Sequence, residues 1–256
     1  MAKGCSPELL GQTALFRGLP REALEDVSKC ANTHVLRSAS HFFRQEEPAE
    51  QVYVLVTGKV RITQLSADGN QVFVRLIKPG EIFGVISGFG EGQYPATAQS
   101  EGAALAVSWS GKCLLELMRR YPTIAINTIK VLSQRVQEMQ DRFREIATER
   151  VERRIAHVLI RLTAQAGQKQ ADGVLIDLKL SRQDLAEMAG TTLFTVSRTL
   201  NQWEKDSLVQ ISRQKVKILR PHALVQIADD LPEKPKQPTS LRLALTRRDP
   251  SGTTKT

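Results

Sequence analysis

Within LAEMAGTTLFTVSRTLNQWEKDSLV, residues 185–209, three side chains of different chemistry share one helical face: Phe194, Ser197 and Arg198. Val196, Leu200 and Trp203 fall on the opposite face at core spacing, so the first three are turned outward together with Asn201. An outward arginine on such a helix suits the bidentate contact to guanine O6 and N7, worth about 1–3 kcal/mol of discrimination. Ser197 suits a base or a phosphate. Phe194 accepts no hydrogen bond but can pack on a thymine methyl. Thr192 and Asn201 stand where they can hold the backbone, and Leu193 is open between the two faces.

Such a helix must be presented by its neighbours. Ser181 followed by Asp184 is a capping box for a first helix with Leu185 and Ala186 inward. Gly190 supplies the turn, and Thr191 or Thr192 can cap the second helix. Ala186, Gly190 and Val196 together have helix-turn-helix spacing; the alternative is a helical hairpin with no nucleic-acid role. Next, SLVQISRQKVKILRP alternates Val209, Ile211, Val216 and Ile218 with polar residues, the pattern of a β-hairpin wing. Arg213, Lys215, Lys217 and Arg220 make it basic and suited to phosphate, a contact that positions without conferring sequence preference. Alone, that charge run is equally a solvated face.

Upstream, TERVERRIAHVLIRLTAQAG reads as an amphipathic helix carrying Val151, Ile155, Val158 and Leu162 and ending at Gly167. VLIDLKL is a short strand after it. His157 has no second ligand at helical spacing and is read as packed or on the surface. Before it, Ile129, Leu132, Val136, Met139, Phe143 and Ile146 are spaced 3, 4, 3, 4 and 3, a heptad seam flanked by Arg135, Glu138, Arg142 and Glu145. The seam predicts a two-helix homodimer contact; a long helix packed on its own barrel is the alternative. A shorter helix around Leu114, Leu117 and Met118 precedes it, with a break at Tyr121-Pro122. Residues 51–84 have period two, with turns at Thr57-Gly58, Asp68-Gly69 and Pro79-Gly80, the signature of an antiparallel sandwich or barrel ending near Ser110. Short helices open the chain, broken at Gly18 and Pro20, with Arg21 starting the second and Leu24 and Val27 on its apolar face.

Composition bounds the class. The chain has 256 residues, 41% hydrophobic and 25% charged, which predicts two globular modules. No apolar run reaches the roughly 18 residues of a membrane span, and the N-terminus lacks a secretion pattern, so a cytoplasmic protein is expected. Cys5, Cys30 and Cys113 suggest neither a disulfide framework nor a zinc site. The net charge of +9 divides into +2 over residues 1–147, +3 over 148–230 and +4 over 231–256, so net charge is weak evidence for nucleic acid. The last segment is a basic, Pro-containing tail without a core: a solvated tail, or an accessory phosphate-binding arm.

LFRGLP, VYVLVTGKVRI, PGEIFG, the seam helix, VERRIAHVLIRL and the winged helix-turn-helix occur in an order that resembles the cyclic-AMP receptor protein / fumarate-nitrate reduction regulator (Crp/Fnr) superfamily of transcriptional regulators, from about Leu15 to Leu224. The resemblance implies an α+β fold. An effector-sensing double-stranded β-roll with N-terminal helices (1–111) precedes a dimerisation helix (112–147), a winged helix-turn-helix domain (148–230) and the tail (231–256). It implies a homodimer with recognition helices about 34 Å apart on palindromic double-stranded DNA, and RNA polymerase as a partner. Most of the family carries a glutamate at the place of Phe194, accepting from cytosine N4, so the neighbouring base preference is expected to shift.

The effector region departs too. Cyclic-nucleotide binders of the family carry Gly-Glu-Leu and then an arginine before Ser/Thr-Ala; here stand Gly84-Val85-Ile86 and Tyr94-Pro95-Ala96-Thr97-Ala98. A buried cyclic phosphate would forgo a charge-assisted pair of about 1.5–3 kcal/mol, which argues against cyclic AMP. Too few N-terminal cysteines are present for an iron–sulfur cluster. The region is similar to the branch responding to nitric oxide, often through haem, for which His34 or His41 would be the axial ligand. The effector stays open; the alternatives are a cyclic nucleotide in a degenerate site or, in another class, a metal-dependent cupin-like enzyme. The four histidines include no His-x-His pair for that enzyme. A non-specific nucleic-acid binder is the third alternative.

Overall fold

A computed structural model describes residues 6–65, 69, 71–85 and 92–230. Ile86, Cys5, most of the Ser66–Gly69 turn and the tail of residues 231–256 lie outside them.

The first half is built on two four-stranded antiparallel sheets. One has the order β1 (Asn32–Leu36), β8 (Ala104–Ser110), β3 (Gln51–Thr57), β6 (Ile82–Phe83). The other runs β2 (His41–Phe43), β7 (Thr97–Ser100), β4 (Val60–Leu65), β5 (Gln71–Ile77). In β3 the run VYVLV is buried throughout because it has two covered faces. Tyr53 and Leu55 point between the sheets. Val52, Val54 and Val56 point outward under helices α1 (Pro7–Gly11), α2 (Arg21–Lys29) and α3 (Gly111–Arg120), together with Phe16 and Trp109. Trp109 Nε1 donates to the Val27 carbonyl at 2.8 Å, so the large indole is buried without an orphaned donor.

Pro122 opens the long helix α4 (Pro122–Thr148), where its missing N–H costs nothing. Asn127 is buried and donates to the carbonyls of Leu15 and Arg17, tying α4 to the N-terminal segment. Beyond its second turn one face of α4 turns away from the roll, while Arg135 and Arg142 on the other donate to the carbonyls of Ile82 and Val74. Ile129, Val136, Met139, Phe143 and Ile146 are exposed, Met139 by 69% and Phe143 by 73%, and Ile126 extends the stripe one turn earlier. Leu132 differs from the other seam residues: it is half-buried and packs with Val131 against the roll.

The second half packs α5 (Val151–Ala166), α6 (Arg182–Met188), α7 (Leu193–Lys205) and α8 (Pro221–Asp229) on an antiparallel sheet ordered β11 (Val209–Ser212), β12 (Lys215–Ile218), β10 (Gly173–Ile176), β9 (Gly167–Gln170). The expected strand in VLIDLKL is shorter than that stretch and is paired with β9, which the sequence reading lacked. Its core also holds Phe73 and Leu76 of β5, so one strand of the roll is seated in the second domain. Among the described residues no helix is long and apolar enough to cross a membrane.

Candidate nucleic-acid interface

The presenting helices are set by the cap residues. Ser181 and Asp184 form a reciprocal capping box on α6. Gly190 takes φ +60° in the turn, and of the two candidate threonines it is Thr192 that caps α7, its Oγ1 accepting from Thr195 N at 3.2 Å. Leu185, Ala186, Val196, Leu200 and Trp203 are buried. The opposite face of α7 is open: Phe194 is 72% exposed, Arg198 and Asn201 are exposed and Ser197 is half-buried. Leu193 resolves to the open side at 49% exposure. Asn201 is not free, since its Oδ1 accepts from Arg182 Nη2 at 3.2 Å.

In the wing, β11 and β12 meet in a tight turn with Gln214 at φ +59°, and Val216 and Ile218 face the core. Arg213 and Lys215 are exposed, so their charge is available to a phosphate. Lys217 is half-buried and ion-paired with Asp172, in the turn before β10, so its charge is largely neutralised in place.

Two arginines that sequence reasoning did not single out organise this domain. Arg154 of α5 donates to the carbonyls of Ala189 (2.8 Å), Gly190 (3.0 Å) and Glu149 (2.9 Å), binding the helix-turn-helix turn to the end of α4. Arg61 of β4 reaches across from the roll: it donates to the Lys179 carbonyl and lies 3.4 Å from Asp184 Oδ1 and 3.5 Å from Glu101 Oε2. Lys59 joins it by pairing with Asp177 at 2.7 Å, holding the Asp177 carboxyl below its ordinary value. Apart from the Arg154–Glu149 bond, these contacts follow no local pattern, because they join residues more than thirty positions apart.

Inside the roll a cavity of about 100 Å³ is lined by Gly84, Val85, Tyr94 and Ala96, among others. Thr97 is not among its lining residues; its Oγ1 accepts from Gln45 N. Tyr94 stacks on Phe43 with ring centroids 3.7 Å apart and donates to the Gln51 carbonyl, and burial pushes its phenol up. A Cβ on Gly84 would come within 3.0 Å of the Gln51 carbonyl, so the aromatic wall depends on that glycine.

The cavity does not fit a porphyrin. It is smaller than the roughly 150 Å³ that accommodates one benzene. Neither His34 nor His41 lines it, and His34 Nε2 is 2.8 Å from Ser108 Oγ. Burial lowers both imidazoles. Among the described residues no group of three His, Cys, Asp or Glu side chains could hold a metal, although the Cys30 thiol lies beside Cys113 and, after burial, helps push it up to about 12. His157 Nε2 lies 3.3 Å from Glu149 Oε2.

The model for the cyclic nucleotide-binding domain matches residues 33–121, and that for the Crp-like helix-turn-helix domain matches residues 153–227. The global nitrogen regulator of Synechococcus elongatus is 30% identical over 187 residues, 70% of this chain and 82% of that protein. The cyclic AMP receptor protein of Thermus thermophilus is 27% identical over 84% of this chain and 96% of its own. In fold, the chain is similar to FixK2 from Bradyrhizobium japonicum, with TM-score 0.65 and 22% identity over 77% of this chain and 96% of that one.

Proposed function

The chain belongs to the Crp/Fnr superfamily of DNA-binding transcriptional regulators, not of enzymes, and from that premise we propose a homodimer that reads a palindromic duplex under control of an effector held in the roll. The two copies meet along Ile129, Leu132, Val136, Met139, Phe143 and Ile146 of α4. Arg198 reads a guanine, Ser197 a base or a phosphate, and Phe194 the neighbouring thymine methyl. Thr192, Asn201, Arg213, Lys215 and, more weakly, Lys217 position the backbone. The effector enters among Gly84, Val85, Tyr94 and Ala96, shifts α4 and changes the population of the DNA-competent dimer. RNA polymerase is its partner in the cytoplasm.

The observation that carries this reading is the division of α7 into a fully packed face and an open one on which Phe194 and Arg198 stand together. Binding-site selection tests it. Arg198→Ala should lose about 1–3 kcal/mol of discrimination at one guanine, and Phe194→Ala should relax the adjacent position. Selection of the same half-site by the native chain and both variants would refute it.

A further inference from the structure

The cavity in the roll has two unlike ends. Its walls are apolar, with Phe43, Ile62, Ile77 and Phe83 facing inward. At its rim, where β5 meets α4, stand two guanidinium groups, Arg75 and Arg135. Arg135 Nη2 donates to the Ile82 carbonyl at 2.9 Å. Arg75 Nη2 pairs with Glu81 at 3.1 Å, but Arg75 Nε is buried and has no acceptor among the described residues. A buried donor left unsatisfied costs about 1–3 kcal/mol, more when it is charged, so an incoming acceptor is favoured there. Three arginines, Arg75, Arg135 and Arg142, border the polar side of this rim against two carboxylates, Glu81 and Glu138, leaving a net positive charge. Burial, the largest influence on Arg75, draws it below its ordinary value, as expected of a cation short of solvation.

We propose that the ligand of this cavity is a compact amphipathic monocarboxylate, a short branched aliphatic acid. Its apolar group of roughly four or five carbons fills the space between the sheets, in proportion to the larger cavity that holds benzene. Its carboxylate sits at the rim between Arg75 and Arg135. A neutral ligand would forgo the charge-assisted pairing that two guanidinium groups offer at the rim. A dicarboxylate would bury its second charge against Phe43 and Ile62 with no cation to meet it. A cyclic nucleotide exceeds the space, and Pro95 offers its phosphate no charge.

The two ligating arginines belong to the two elements that lead away from the roll. Arg135 shares α4 with Leu132, which also lines the cavity, and with the exposed apolar stripe. Arg75 lies on β5 beside a bulge: Ile62 pairs with Arg75 and Thr63 with Phe73, so Val74 is the extra residue. The bulge turns Val74, Arg75 and Ile77 toward the roll while Phe73 and Leu76 both enter the DNA-binding domain. An acid at the rim therefore touches the strand that holds the DNA-binding domain and the helix that bears the stripe. This coupling rests on the proposed sensing role of the roll; the ligand class does not.

Calorimetry on the full chain tests the ligand class with 3-methylbutanoate and 4-methylpentanoate, their neutral amides, glutarate and cyclic AMP. The acids should bind at least tenfold more tightly than their amides and than glutarate or cyclic AMP. Arg135→Met should weaken the acids by about ten- to a hundredfold, with Arg135→Lys intermediate. Equal binding of acid and amide, tighter binding of glutarate or cyclic AMP, or no acid binding at millimolar concentration overturns the assignment. DNA affinity, measured with the acids and with the cavity-filling variant Ala96→Leu, separates the two ideas. Failure of the acids with a DNA-affinity shift in Ala96→Leu overturns the ligand class and leaves the sensing role standing. Selective acid binding with no shift from either acid or variant supports the ligand class and removes the sensing role.

Discussion

Replacing Arg61 by alanine should loosen the grip of the roll on the DNA-binding domain without unfolding either. Its side chain is 16% exposed, and the guanidinium lies 4.6 Å from the centroid of the Phe73 ring. The bond to the Lys179 carbonyl is charge-assisted, worth about 1.5–3 kcal/mol, and that exposed carbonyl can turn to water once the guanidinium is gone. The pairs to Asp184 and Glu101, at 3.4 and 3.5 Å between side chains each about one-fifth exposed or less, are long and add a fraction of that. A loss of about 3 kcal/mol in docking corresponds to a roughly hundredfold rise in the open population. Hydrogen exchange read by mass spectrometry should show it as faster exchange in residues 177–188, while β3 at the far side of the roll keeps its protection. Arg61→Met, which keeps an apolar stem but not the guanidinium over Phe73, should lose the polar bonds and the cation–π contact while retaining part of the packing. Unchanged exchange in residues 177–188, or the same acceleration everywhere at once, would refute the reasoning.

Three further outcomes follow from the same geometry. Met139→Asp with Phe143→Asp places charge in the exposed stripe of α4 and should shift sedimentation equilibrium from dimer to monomer with the melting temperature of the roll little changed; a persistent dimer would place the contact elsewhere. Arg213→Ala should flatten the salt dependence of DNA binding by about one unit of slope, whereas Lys217→Ala, already neutralised by Asp172, should change it less; equal effects count against that pairing. Burial lowers His34 and His41, so the unfolded chain takes up their protons first: their contribution is complete above the ordinary value of 6.5 and falls as pH drops toward the lowered folded-state values. Urea midpoints between about pH 8 and about pH 5 should decline less in the double variant His34→Gln, His41→Gln, and an identical decline would exclude these residues as the source.

Much of the helix-turn-helix was legible because its signals are local. The capping box of Ser181 and Asp184, the positive φ at Gly190 and the inward set of Val196, Leu200 and Trp203 all arise within one or two turns of chain. The apolar stripe of α4 was legible for the same reason, yet Leu132 turned out half-buried, because the roll that covers it is distant in sequence. Strand β9, with the polar sequence GQKQ and every residue exposed, has no apolar alternation to betray it; it exists because β10 offers an edge. Lys217 looked like a free cation because Asp172 lies 45 residues away. Arg75 attracted no notice since period-two reading assigns it a face by counting, and the bulge at Val74 breaks the count.

Arg154 gives the joint between the two halves a mechanical character. One guanidinium grips the Glu149 carbonyl at the end of α4 and the Ala189 and Gly190 carbonyls of the turn ahead of α7, and Ile146 lies 3.6 Å from where a Cβ on Gly190 would sit. The linkage is a bracket, not a swivel. In the proposed dimer, a rotation of α4 would be handed through this bracket to α7, and with it to the open face that carries Arg198 and Phe194.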